Sequence, residues 1–257
     1  MNKQIDGLMT VSASKIGVFR ECGRMYKYKY VIPHSDRPED KKNIASLMGT
    51  ALHAAIEKKY KEDKSPTGTF QHVMDTTLDE WEKQGLTING MEYLSRNKKL
   101  GKDILLAFPW EQFNPTELEL AFTLPFPDAN NPIVNMTGFI DLLDMDGSVV
   151  DHKSTATAPN QDELDNNPQF FIYYWAYQQI YGVKPWKVIW NHLRTNKLYE
   201  AQIAQDYNFK LAQMIEDIND LINSGPHYAR KKMDSFCRGT CSFRKLCYGE
   251  KAIEAIE

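Results

Sequence analysis

The sequence predicts a mixed α/β domain, and three observations predict it. Up to about residue 107 the apolar residues recur at mixed three- and four-residue spacing, which is the period of helices. From Glu117 the spacing shortens to two in "ELELAFTLPF", the period of a strand with one covered face. A single aromatic helix, "PQFFIYYWAYQQIYG", then interrupts the strands before they resume. Helices first, then a short sheet broken by one helix, is a mixed α/β arrangement.

The elements follow in order. Ser12 and Ser14 can cap a helix through "KIGVFRECGRMYKYKYV" that stops before Pro33, because the residue before proline is pushed out of the helical region. The polar run from His34 to Lys42 reads as a loop. A second helix covers about 45–62, ended by Ser65-Pro66-Thr67-Gly68. Two more follow near 70–84 and 90–107. "IVNMTGFIDLLDMDGSVVDHKS" reads as a hairpin turning at Asp146-Gly147. Gly182 closes the aromatic helix. "WKVIWNHLRT" and "LYEAQIA" are strands joined at Asn196-Lys197, and an amphipathic helix at about 207–223 precedes a cysteine-rich tail.

The bulk numbers set limits. The 257 residues are 42% hydrophobic and 25% charged, with a formal net charge of −3. That suits a globular chain with a sizeable core and excludes a uniformly basic nucleic-acid coat. It leaves room for a local basic groove beside acidic metal ligands. No Gly/Ser-rich or Pro-rich linker interrupts residues 1–257, which predicts one domain. The first residues lack a signal-peptide apolar core, and no stretch approaches the ~18 apolar residues of a spanning helix. A cytoplasmic protein with no membrane partner is expected. In such a reducing compartment four cysteines suit metal ligation or free thiols better than disulfides.

The hairpin carries the chemistry. Alternation places Asp151 and Lys153 on one face of its second arm, with the His152 side chain pointing away. The turn decides whether Asp141 joins them. A two-residue loop would set Asp141 opposite His152, whereas a three-residue loop, Met145-Asp146-Gly147, with Gly147 left-handed sets Asp141 opposite Asp151. The second register is expected. Two adjacent carboxylates repel unless a cation sits between them, and hard oxygen ligands suit Mg²⁺ or Mn²⁺. A lysine beside them can orient a water or neutralise charge on a phosphate. Carboxylates, lysine and metal together suit phosphodiester hydrolysis.

With these residues in view, the sequence resembles the PD-(D/E)XK nuclease superfamily, specifically its RecB-like exonuclease branch. "GTALH" at 49–53, "GFID" at 138–141, "DHKS" at 151–154 and "QFFIY" at 169–173 occur in that family's order. The resemblance implies a restriction-endonuclease-like core, a short mixed central sheet flanked by helices. It implies that His53, Asp141, Asp151 and the main-chain carbonyl of His152 bind the metal, and that Lys153 is the family lysine. It also implies that Gln169 and Tyr173, one helical turn apart, contact the DNA backbone or steady that lysine. Glu119 is a weaker candidate, since some relatives carry an extra acidic residue on that strand. The implied activity is exonucleolytic cleavage of single-stranded DNA or duplex ends, alone or with a recombination, repair or CRISPR-adaptation partner. A non-catalytic DNA-binding subunit and an endonuclease with the same active site are the alternatives.

Cys22 lies in the first helix, while Cys237, Cys241 and Cys247 cluster in "FCRGTCSFRKLCYGE". One remote cysteine plus a C-terminal trio resembles the iron–sulfur members of that branch, AddB-like and CRISPR-associated exonuclease-like. Their four thiolates hold a [4Fe–4S] cluster that joins the two chain ends. The three residues between Cys237 and Cys241 depart from the commoner two, and zinc is the competing ion for four thiolates. Arg20, Arg24, Lys27, Lys29, Arg230, Lys231, Lys232, Arg238, Arg244 and Lys245, with Tyr26, Phe236 and Phe243 interleaved, would form a basic, partly aromatic patch if the ends meet.

Overall fold

The computed structural model describes residues 5–33, 42–224, 237 and 241–248. Along the chain the elements are β1 (Thr10–Ser12), α1 (Ala13–Glu21), α2 (Gly23–Tyr26), a π-helical turn (Lys27–Val31), β2 (Lys42–Asn43), α3 (Ile44–Glu62), α4 (Pro66–Lys83) and β3 (Ile88–Asn89). Then come α5 (Leu94–Ala107), β4 (Pro115–Phe126), β5 (Val134–Asp144), β6 (Val149–Lys153), α6 (Gln161–Asp165) and α7 (Pro168–Tyr181). The last are β7 (Val188–His192), β8 (Lys197–Glu200), α8 (Tyr207–Asn223) and α9 (Arg244–Tyr248). This is the expected α/β architecture, a mixed central sheet flanked by helices. The chain divides into two compact units.

The larger unit contains Lys41–Leu124 and Gly138–Tyr207. In it β4 pairs with β5, and the order continues β5-β6-β7-β8. The β5–β6 and β7–β8 pairs are antiparallel, while β6 and β7 run parallel. A parallel pair needs a crossover, and α7 supplies it. Leu142, Val150 and Ile189 of the sheet pack with Leu47, Met48, Leu52 and Ile56 of α3, Phe70 and Met74 of α4, and Ile104 and Leu105 of α5. Each fully buried aliphatic of this kind contributes roughly 1.5–3 kcal/mol. α5 approaches α4 so closely that a Cβ at Gly101 would lie 2.1 Å from the Phe70 ring.

The caps explain the helix boundaries. Asn43 accepts from the Ala45 and Ser46 N–H groups and starts α3, which ends where Asp63 turns left-handed at φ 51°. Ser65-Pro66, read from sequence as a stop, instead starts α4: the Ser65 hydroxyl accepts from Gly68 N–H, and Pro66 occupies the first turn, where its missing N–H has no cost. The short α6, which the sequence reading passed over, opens with a capping box between Asn160 and Glu163.

The hairpin register is the expected one. Leu142 faces Val150 and Leu143 faces Val149, so the same register places Asp141 across from Asp151. Asp144 N–H donates to Ser148 O, Gly147 N–H donates to Asp144 O, and Gly147 adopts φ 82°. The three-residue turn thus works because glycine accepts the left-handed conformation.

The smaller unit contains Lys3–Asp40, Pro125–Thr137 and Asn208–Glu257. β1 pairs in parallel with the start of β5, Val11 against Met136. The buried Asn135 side chain satisfies both the N–H and the C=O of Ile5, at 2.9 and 2.8 Å. The helix expected to run unbroken to Val31 is interrupted at Cys22, whose extended backbone (φ −164°, ψ 117°) separates α1 from α2. Gly23, a poor helix former, follows the break. Met214, Ile218 and Leu221 form the buried stripe of α8. Of the loop expected over His34–Lys42, residues 34–41 lie outside the described part.

Candidate active site

The site forms where β5 and β6 part. The antiparallel ladder ends at Leu142–Val150. The next outward N–H, that of His152, donates to Asp141 Oδ2 at 2.7 Å. A side-chain carboxylate thereby takes the place of a strand carbonyl, and Asp141 is fixed at the mouth of the split. Asp151 is buried beside it, and Lys153 Nζ lies 3.0 and 2.8 Å from its two oxygens.

α3 brings His53 to the same place. Its Nε2 donates to the His152 carbonyl at 2.8 Å, which leaves Nδ1 directed at Asp141 Oδ2 (3.4 Å) and Glu119 Oε1 (3.9 Å). His53, Glu119 and Asp141 each offer a ligand atom, and these atoms lie within 4.8 Å of one another. An imidazole nitrogen and two carboxylates fit a Mg²⁺ or Mn²⁺ ion. The expected ligand set was His53, Asp141, Asp151 and the His152 carbonyl. The closest grouping has Glu119 in it, while Asp151 is engaged by Lys153 and the His152 carbonyl by His53.

Glu119 reaches the site through an unusual backbone. It sits within β4 at φ 51°, left-handed for a residue that is not glycine. Such a conformation costs of order 1–3 kcal/mol and persists where the surroundings impose it. The sequence marked Glu119 only as the weaker candidate, through relatives that carry an extra acidic residue on that strand. The left-handed residue that turns it inward carries no sequence mark.

The electrostatics follow from burying several acidic groups close together. Burial and the neighbouring Asp151 raise Asp141 to about 7. Burial likewise raises Asp151, against the pull of Lys153. Burial opposes charge on His53, but Glu119, Asp141 and Asp151 outweigh it and raise the ring to about 9. A proton there occupies the position a metal would take. His152 is the opposite case: burial, then the positive charges of His53 and Lys153, lower it to about 3.

Tyr173 and Gln169 are brought together on α7, with Gln169 Nε2 donating to the Tyr173 hydroxyl at 2.7 Å. Burial, then the charges of Asp151 and Asp141, hold the Tyr173 phenol well above its ordinary value. At 4% exposure Tyr173 is buried and offers little surface to a DNA backbone. Its ring meets Phe122 edge-on, and Phe122 lies so close to β5 that a Cβ at Gly138 would be 2.7 Å from it. Glycine in "GFID" is therefore a steric requirement.

The comparisons with known proteins agree with this geometry. Residues 10–248 match the model of the PD-(D/E)XK nuclease superfamily. The chain belongs to that superfamily. Its fold is similar to the crystal structure of a proposed exonuclease from Eubacterium rectale, at 14% sequence identity and a TM-score of 0.57, covering 93% of this chain and 92% of that one. No curated protein matches. PD-(D/E)XK nucleases typically use Mg²⁺ or Mn²⁺, and the His53, Glu119 and Asp141 group could hold such an ion.

The cysteines belong to the smaller unit. None of the four forms a disulfide among the described residues; Cys22 and Cys237 are buried, and Cys241 and Cys247 partly so. Burial raises the Cys241 thiol, and the charges of Cys237, Cys22 and Cys247 raise it further, so the four sulfurs share one neighbourhood. Arg24 Nη1 lies 3.5 Å from Cys247 Sγ. The basic patch is more committed than expected: Arg20 pairs with Asp217 at 2.6 Å, and Tyr26 is buried against Phe19 and Tyr30 rather than open for stacking. Arg230, Lys231, Lys232, Phe236 and Arg238 lie outside the described residues.

Two supports escaped the sequence reading. Asn191 and the His192–Thr195 turn of β7 grip the residues around Lys153. No described helix is long and apolar enough to cross a membrane.

Proposed function

We propose that the protein is a cytoplasmic Mg²⁺- or Mn²⁺-dependent deoxyribonuclease of the RecB-like branch, acting as an exonuclease on single-stranded DNA or duplex ends. The observation that carries this reading is the convergence of His53 Nδ1, Glu119 and Asp141, with Asp151 held by Lys153 across the hairpin. His53, Glu119, Asp141 and Asp151 would hold the cation. Its contribution is Lewis acidity at a phosphate oxygen and neutralisation of the carboxylates. Lys153, released from Asp151 when that carboxylate turns to the cation, would orient the attacking water and offset charge developing on the phosphate. Gln169 and Tyr173 would keep the two aspartates in register.

The test uses linear and circular DNA, end-labelled on either strand, with Mg²⁺ or Mn²⁺. Nucleotides released from linear DNA with circles left intact support an exonuclease. Cleavage of circular single strands would point to an endonuclease with the same active site. Asp151→Ala should abolish cleavage with DNA binding retained. Cleavage undiminished in that variant would remove the proposal.

Cys22, Cys237, Cys241 and Cys247 support a structural [4Fe–4S] cluster, since Cys241 feels the charges of the other three and none of them is in a disulfide among the described residues. Anaerobic purification should give a brown protein containing iron. A colourless, iron-free protein refutes the cluster, and stoichiometric zinc would replace it.

A further inference from the structure

Four consecutive residues at the end of β6 are each gripped by β7 and the turn that follows it. Asn191 Nδ2 donates to His152 Nδ1 at 3.1 Å. Leu193 N–H donates to Lys153 O at 2.9 Å, and Arg194 Nε donates to Ser154 O at 2.8 Å. His192 Nε2 donates to Thr155 O at 2.9 Å, its other nitrogen accepting from the Thr195 hydroxyl at 2.8 Å.

The first of these contacts is the informative one. His152 and Asn191 face each other across the parallel pair and are 2% and 1% exposed. One side of the imidazole is lined by the rings of Phe108 and Phe113, both edge-on at about 6 Å. Its Nε2 has no hydrogen-bond partner among the described residues. Burying an amide and an imidazole with incomplete hydrogen bonding costs on the order of 1–3 kcal/mol. Two residues back along both strands, Val150 and Ile189 fill the equivalent pairing with aliphatic side chains at no such cost. A core requirement alone would favour the same solution here.

The main chain of His152 suggests what the polar pair does. Its N–H holds Asp141 Oδ2 and its C=O holds His53 Nε2, at 2.7 and 2.8 Å. Two side chains of the proposed metal centre are therefore mounted on the peptide groups of one residue. That residue's ring is the lever by which those peptides would turn. With Asn191 donating to Nδ1, a neutral His152 carries its proton on Nε2, and its ring orientation is set.

We infer that Asn191 is a positioning residue of the catalytic centre: through the His152 ring it locks the peptide groups that hold Asp141 and His53 to the cation. This deepens the nuclease reading and rests on it. It is tested with the full-length protein by titrating Mn²⁺ calorimetrically and by measuring Tm and cleavage. Asn191→Leu keeps the volume and removes the donor. Mn²⁺ affinity should weaken about 10-fold or more, as is typical when an outer partner of a metal ligand is lost. His152→Phe, which keeps a ring among Phe108 and Phe113, should weaken it similarly, and the double variant no further than the weaker single one. His152→Phe also decides the matter should Asn191→Leu not fold. Mn²⁺ affinity within twofold of wild type, with only Tm lowered, would make the pair merely structural and overturn the inference. Wild-type protein that binds no Mn²⁺ would instead bring down the nuclease reading, and this inference with it.

Discussion

His53 Nε2 donates to the main-chain carbonyl of His152 at 2.8 Å, so the ring faces Asp141 and Glu119 with Nδ1 alone. A neutral ring would aim a lone pair at two carboxylates. That arrangement requires a cation or a proton between them, and it makes Nδ1 the ligating nitrogen. His53→Gln keeps a donor for the carbonyl but supplies no imidazole lone pair. It should lose at least 10-fold in Mn²⁺ affinity with little change in Tm, measured by calorimetry and thermal melting.

Glu119 should matter as much as the aspartates. Glu119→Gln preserves shape and removes the charge. We expect cleavage at subsaturating Mn²⁺ to fall by about 10- to 100-fold, with partial recovery as Mn²⁺ is raised. Unchanged kinetics would exclude Glu119 from the metal centre.

The pH dependence of the metal-free protein has a definite sign. Asp141 rises from 3.8 to about 7 on folding, Asp151 rises too, and His53 rises from 6.5 to about 9. A group raised by folding stabilises below its unfolded value and loses that contribution as pH climbs through the folded one. Tm without metal should therefore fall from about pH 4 to 7 through the aspartates and again from about pH 6.5 to 9 through His53. Mn²⁺ displaces the His53 proton, so the rise in Tm that it produces should grow over the same interval. A Tm increment independent of pH would contradict this placement of His53.

Two glycines are steric requirements. Gly101→Ala would ordinarily favour a helix by about 1 kcal/mol. Here the added methyl meets the Phe70 ring, so net destabilisation of roughly 1–3 kcal/mol is expected by denaturant unfolding. Gly138→Ala should push Phe122 against Tyr173 and reduce cleavage as well as stability.

Cys247→Ser should remove or bleach the visible absorption of anaerobically purified protein and lower its iron content, while the isolated Mn²⁺ affinity stays near wild type. Equal iron in variant and wild type would exclude Cys247 as a ligand.

The sequence alone determined the succession of helix, strand and helix and the hairpin with its three-residue turn, and it singled out Asp141, Asp151, Lys153 and His53, which the fold brings together. These are local properties: periodicity, turn chemistry and short motifs act between residues near in the chain. Gly147 announced the odd-numbered register because a left-handed glycine leaves few turns open. Only the tertiary structure decided how the site closes. Glu119 enters through a left-handed residue inside a strand, and Asp151 is engaged by Lys153 rather than by the nearest metal-binding group. Tyr173 is buried against Phe122, and Asn191 grips His152 from the neighbouring strand. Each depends on contacts between segments separated by tens of residues, where packing and burial, not local preference, set which atoms meet.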